Sequence, residues 1–184
     1  MRLFFPLLLV TYIHASMKVL LLHGGDSGPG DLNAQIPTDD DTYEWVTEIT
    51  GPIQGFEGYV WMSDPEYVVD DPPDLQTIQL LDSYGDDVAG IVGYSQGCAA
   101  GLAYVAHRFQ TNTQANLQFF ACFCGYVPIE HSSTMYARIL QQSPMNLNAW
   151  IGIGQYDEMF GFPSSYSTER IGTFFTHNQT HVIN

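Results

Sequence analysis

Residues 88–97 read Val-Ala-Gly-Ile-Val-Gly-Tyr-Ser-Gln-Gly. Val88 to Val92 is a short, continuous apolar run, the pattern of a strand buried on both faces of a parallel sheet. Gly93-Tyr94-Ser95-Gln96-Gly97 follows as a G-x-S-x-G string, and Cys98 to Phe109 then reads as an alanine-rich helix. A strand, a tight turn bearing Ser and a helix together make the arrangement of a nucleophile elbow. The turn is sharp enough that the neighbours of Ser95 must be small, hence the flanking glycines. It lifts the hydroxyl over the sheet edge at a helix N-terminus, where backbone N–H groups favour developing negative charge. The competing reading is a glycine-rich turn with an incidental serine.

The rest of the chain supplies matching units. Val19 to Leu22 is a second buried strand, running into His23-Gly24-Gly25. Asp26 to Pro37 is rich in Gly, Pro and Asp and reads as loop with a short helix. Thr42 to Thr50 is expected to be helical and to stop at Gly51-Pro52. Tyr59 to Met62 is expected as a strand. Leu75, Ile78, Leu80 and Leu81 have helical spacing, closed by Tyr84-Gly85. Leu117 to Cys124, Ala149 to Ile153 and Ile171 to Thr176 read as strands, and Met135 to Gln142 as helix. Strands alternating with helical stretches predict βαβ units and a mostly parallel central sheet flanked by helices. The polar turns after the strands should share one rim, where open α/β sheets carry their sites.

A serine hydroxyl is a weak nucleophile at neutral pH and needs a base. Of six histidines, His14 lies in the first segment, His107 on the helix after the elbow, and His131 before the best acid. His23 ends the first strand, where it more naturally shapes the loop. His177 and His181 remain, and both satisfy the order Ser, acid, His expected after an elbow. The acid should follow a strand between Ser95 and the base. Asp157, after Gly154-Gln155-Tyr156, is the candidate to accept an Nδ1–H bond and fix the imidazole tautomer; Glu158 and Glu130 are lesser choices. The oxyanion hole would be made by the backbone N–H groups of Gln96 and Gly25. Gly25-Asp26-Ser27-Gly28 resembles the string around a protease nucleophile, yet only two dozen residues precede it and no β-barrel is in prospect. Gly24 to Gly30 lacks the Lys-Ser/Thr of a phosphate loop.

Composition sets the outer bounds. The chain has 184 residues, 45% hydrophobic and 14% aromatic, enough for one domain with a real core. Five basic against twenty acidic side chains give a formal charge of −15. Such a surface repels phosphate backbones and anionic lipid, so nucleic acid is not expected as a partner. Asp39-Asp40-Asp41 does not have the spacing of a calcium loop and reads as a solvated acidic stretch. Cys98, Cys122 and Cys124 are odd in number, and two are one residue apart, so no disulfide framework is expected. Buried free thiols, no metal site and a reducing compartment are the corresponding expectations.

Residues 1–16 form a basic, then apolar, then small-residue segment shaped like a secretory signal peptide. The rival reading is a non-native N-terminal extension, with the working domain at 17–184 opening on Met17-Lys18-Val19. The sequon Asn178-Gln179-Thr180 abuts His181, and a glycan there would crowd the site. That favours a cytoplasmic location over a secreted one. No other segment is a candidate membrane span.

Met17 to Gly24, Gly90 to Gly97, Cys124-Gly125-Tyr126, Gly152 to Asp157 and His177 to Ile183, taken in order, resemble the fungal-type family of serine hydrolases. The resemblance covers most of 17–184 and is weakest between Asp31 and Leu81. It implies a small, lidless α/β-hydrolase with carboxylesterase-type activity and no cofactor. The family's late motif resembles H-x-G-G-H with the second His catalytic, which maps the base onto His181 rather than His177. Here Gln179-Thr180 stand in place of the glycine pair. The chain also stops three residues after His181, where the family continues into a helix, so a C-terminally short member is expected.

The resulting expectation is hydrolysis of a small-molecule carboxylic ester or thioester through an acyl-enzyme on Ser95, His181 and Asp157. Two alternatives stand beside it: a cutinase-like lipid esterase, since G-Y-S-Q-G also occurs there, and an inert binding protein on the same fold. Paired cysteines around Asp157, which a cutinase would carry, are absent from the sequence. Oligomeric state is not legible.

Overall fold

The computed structural model describes residues 16–39, 41–61, 75–113, 115–124, 147–154 and 173–177. Its centre is a sheet of six parallel strands in the order β2-β1-β5-β6-β7-β8. These are β1 (Lys18–Leu22), β2 (Glu44–Val46), β5 (Val88–Tyr94), β6 (Phe119–Phe123), β7 (Asn148–Gly154) and β8 (Thr173–His177). A separate two-stranded antiparallel hairpin joins β3 (Ile53–Gln54) to β4 (Tyr59–Val60). Three helices are described: α1 (Pro29–Asn33), α2 (Leu75–Asp82) and α3 (Gln96–Gln110).

The apolar runs of β1 and β5 are continuous because both sheet faces are covered there. Alternate residues of β1 serve opposite cores. Leu20 and Leu22 join Ile91, Phe120 and Ile151 against Ile78, Leu81, Leu102 and Val105 of α2 and α3. Val19 and Leu21 join Val92 and Leu32 on the other face, with Tyr43, Trp45 and Phe119 packed against them. Each fully buried side chain of this size contributes about 1.5–3 kcal/mol relative to exposure.

Two polar anchors fix the helical layer. Lys18 donates to the Tyr84 carbonyl at 3.0 Å and pairs with Asp87 at 2.9 Å, tying β1 to the turn before β5. Lys18 also holds the Asp87 carboxyl below the usual carboxylate range. Arg108, buried near the end of α3, donates to the Thr113 carbonyl at 2.9 Å, Asp86 at 3.0 Å and the Tyr104 hydroxyl at 3.0 Å. Burial pushes Tyr104 up to about 12, so its hydroxyl keeps its proton and donates to the Leu81 carbonyl at 3.3 Å.

Three expectations need correction. Thr42 to Thr50 is not helical: residues 44–46 form β2, with Trp45 opposite Val19. Tyr43, Glu44 and Trp45 alternate apolar and polar with period two, and the two aromatic rings pack edge-on at 6.5 Å, which suits a strand better than a helix face. Of the strand expected at 59–62, residues 59 and 60 form β4, half of a hairpin whose partner, β3, has no counterpart among the expected elements, and residue 62 lies outside the described residues. The cysteines are not all free. Cys98, in the first turn of α3, is disulfide-bonded to Cys122 of β6 with Cα atoms 5.0 Å apart, and Cys124 is a buried thiol outside that bond. The pairing crosses from helix to sheet, so sequence spacing holds no signal of it. It also removes the cysteine argument for a reducing compartment.

The other expected elements that fall on described residues are present with boundaries moved by at most two residues. The helix expected at 135–142 and the segment 1–15 lie outside the described residues. Among the described residues no helix is long and apolar enough to cross a membrane.

Candidate active site

The strand order places the site. From β1 the chain goes outward to β2, then returns past β1 to β5 on its other side. The strands' C-terminal ends diverge at that reversal, and the loops leaving β1 and β5 border one crevice. The β1 loop begins His23-Gly24-Gly25, and the β5 turn is Ser95.

Ser95 sits at φ 52°, ψ −120°, between the last residue of β5 and the first of α3. A positive φ costs a non-glycine residue about 1–3 kcal/mol, so its surroundings must hold it. They do: its N–H donates to the Phe123 carbonyl at 2.9 Å, and its carbonyl accepts from Cys98 N–H at 3.0 Å. The hydroxyl makes no capping bond to α3. Gly93 and Gly97 are demanded by close approach. A Cβ on Gly93 would lie 2.6 Å from the Cys98 Cα, and one on Gly97 would run into the Leu22 and His23 carbonyl oxygens. Helix α3 thus meets β1 backbone to backbone directly behind the serine.

The facing loop is equally constrained. A Cβ added to Gly24 would stand 3.4 Å from the Ser95 Cβ, so the two turns abut. His23 is fully buried, and burial lowers its imidazole below the ordinary histidine range. Its Nε2 accepts the Gly51 N–H at 2.9 Å, so the ring proton resides on Nδ1 and goes to the Gly24 carbonyl at 2.6 Å. Ser27 donates its own hydroxyl to that carbonyl at 2.8 Å. With Nδ1 protonated and Nε2 occupied, His23 is no base for Ser27, and the protease-like string 25–28 is structural. Asp26, at φ 51°, turns its Oδ1 onto the Phe56 N–H at 2.7 Å and clasps the β3–β4 hairpin to this loop.

Of the residues expected at the site, the structure brings together Ser95, Gly25 and Gln96. Asp157 and His181 lie outside the described residues, as do Glu158 and Glu130. What can be followed is their approach. β7 ends at Gly154 and β8 at His177, paired with one another, so both chains leave the sheet at the rim that carries Ser95. His177 is therefore the closing residue of a strand. Two residues of the site wall, Trp61 and Asp26, are not among those that sequence reasoning selects. Trp61 offers only a large aromatic near a strand, and Asp26 only a place in the glycine-rich loop.

Comparison with known proteins follows the same lines. Residues 27–183 match the family described as "Serine hydrolase (FSH1)". Comparison of the sequence with curated proteins gave no match. Among solved structures, the fold is similar to a carboxylesterase from Mesorhizobium loti, with TM-score 0.62 and 17% identity over 91% of this chain and 82% of that one. It is also similar to acyl-protein thioesterase 2 of Zea mays, with TM-score 0.61 and 18% identity over 91% and 87%. A third is YahD, solved with malic acid, at TM-score 0.57 and 16% identity over 92% and 87%. The fold is that of the α/β-hydrolases.

Proposed function

Because the chain belongs to the FSH1 family of serine hydrolases, we propose that it cleaves a small carboxylic ester or thioester through an acyl-enzyme on Ser95. His181 takes the Ser95 proton as Oγ attacks the acyl carbonyl carbon. Asp157 accepts the imidazole Nδ1–H, which keeps Nε2 free as base and stabilises the imidazolium that forms. The oxyanion accepts hydrogen bonds from the backbone N–H groups of Gly25 and Gln96. Collapse of the tetrahedral intermediate expels the alcohol or thiol, which takes the proton from His181. Water, deprotonated by the same histidine, then releases the acid and restores Ser95.

The observation that carries this reading is the backbone of Ser95: a positive φ, held by two hydrogen bonds, at the first turn of α3 and against the glycine loop of β1. Gln96, as the first helical residue, has no carbonyl four residues back in the helix to occupy its N–H. The adjacent exits of β7 and β8 support a triad completed from those two loops. The similar folds, a carboxylesterase and an acyl-protein thioesterase, support an acyl substrate of either kind.

The test is labelling with a fluorophosphonate probe together with hydrolysis of p-nitrophenyl esters of graded chain length. Wild-type protein should label and turn over, and Ser95→Ala should lose labelling and at least about a thousandfold in kcat. Well-folded wild-type protein that neither labels nor hydrolyses would be an inert binding protein. A rate that climbs steadily with acyl length beyond about eight carbons would instead favour a cutinase-like lipid esterase.

A further inference from the structure

Gln96 enters the mechanism through its backbone, yet its side chain is also committed. The residue is buried, and burying an amide is costly unless it is hydrogen-bonded. Its Oε1 accepts the Trp61 backbone N–H at 2.9 Å. The same amide lies directly against Gly25: a Cβ built there would be 3.3 Å from Oε1, 3.4 Å from Cδ and 3.5 Å from the Gln96 Cβ. On the oxyanion assignment above, one residue therefore supplies a donor with its main chain and stands beside the other donor's residue with its side chain.

Trp61 completes the connection. It is fully buried, and its indole Nε1 donates to the His23 carbonyl at 2.8 Å, with the two rings 4.9 Å apart. Its own carbonyl accepts the Thr77 hydroxyl from α2. His23 in turn grips the Gly24 carbonyl. Gln96, Trp61, His23 and the Gly24-Gly25 turn form a closed circuit drawn from three separate chain segments. Moving either donor away from the other would stretch a buried hydrogen bond in that circuit.

We propose that the Gln96 side chain, acting through Trp61, is a positioning residue that sets the spacing of the Gly25 and Gln96 N–H groups. The proposal rests on the oxyanion assignment above and adds to it a specific support. Donor spacing matters only when the oxyanion forms, so loosening it should lower kcat and leave ground-state binding alone.

The experiment uses two variants of the full chain, Gln96→Met and Trp61→Phe, with Ser95→Ala in parallel. Gln96→Met keeps the side-chain length and the backbone donor but removes the acceptor. Trp61→Phe keeps a ring but removes the donor to His23. Each should lower kcat roughly tenfold, less than the loss of an entire donor, with KM within about twofold. The double variant should fall short of the product of the two, because both break one circuit. Folding is checked by circular dichroism and thermal melting. Folded Gln96→Met with kcat within about twofold of wild type, or with the loss confined to KM, would overturn the proposal. If Gln96→Met does not fold, Trp61→Phe decides the matter alone by the same two criteria. Loss of activity in Ser95→Ala beside intact Gln96→Met would sink only this inference. Full activity in Ser95→Ala would sink the acyl-enzyme reading and this inference with it.

Discussion

The ring of His23 is committed to holding the loop that faces Ser95, with both nitrogens engaged. Its buried ring must be neutral to accept the Gly51 N–H. Burial lowers its pKa in the folded chain, whereas the unfolded chain takes up a proton near the ordinary value of about 6.5. The stability it contributes is therefore complete above about pH 6.5 and is lost as pH falls through the lower folded value. The Asp87 carboxyl is also held low, but its window lies below 3.8 and does not overlap. Thermal melting between about pH 7 and pH 5 should show a falling Tm in wild type. In His23→Gln the Tm should be lower at neutral pH and the decline flatter; parallel declines would show that this ring is not the titrating group. At this scale the sequence is informative about Ser95, whose flanking glycines report a steric demand in the string itself. It is silent about Trp61 and the Gln96 side chain, because their contacts join segments thirty-five residues apart, and no local pattern encodes such a meeting.

Helix α3 and strand β6 hold the elbow between them. The Ser95 N–H reaches β6 at Phe123, and one turn into α3 Cys98 is bonded to Cys122 of the same strand. Closing a loop across a separation of 24 residues restricts the unfolded chain by about 3 kcal/mol in the chain-entropy account. Thiol titration of unreduced, denatured protein should find one group, Cys124, rather than three. Cys98→Ala should lower Tm by roughly 6–12 °C for a chain of this size. Three titrating thiols would restore the reading of all cysteines as free. Strands β1 and β5 are legible because parallel strands covered on both faces leave unbroken apolar runs, and β6 and β7 keep apolar runs although Phe119 is half-buried and Trp150 exposed. β2 passes for helix because its period-two alternation spans only three residues inside a nine-residue stretch that ends at Gly51-Pro52 as a helix would. In the β3–β4 hairpin, β4 falls within the strand expected from residue 59, whereas β3 escapes notice because two residues carry no period of their own.

The whole molecule carries a charge of −15, and its field should act on any charged substrate entering the crevice. Raising NaCl from about 20 to about 500 mM should increase kcat/KM for an anionic ester, decrease it for a cationic one and leave a neutral one nearly unchanged. Equal responses for all three would show that the crevice is screened from the surface charge. The order of the strands has a temporal side as well. β1 lies one strand in from the edge of the sheet, yet its inner neighbour β5 begins seventy residues later, Lys18 opposite Val88. During synthesis at about 5–20 residues per second, the early strand waits several seconds for that partner to leave the ribosome. Until then the turns at Gly24 and Ser95 cannot abut, so on the reading proposed above a nascent polypeptide should be chemically silent toward cellular acyl groups until its longest-range pairing has closed.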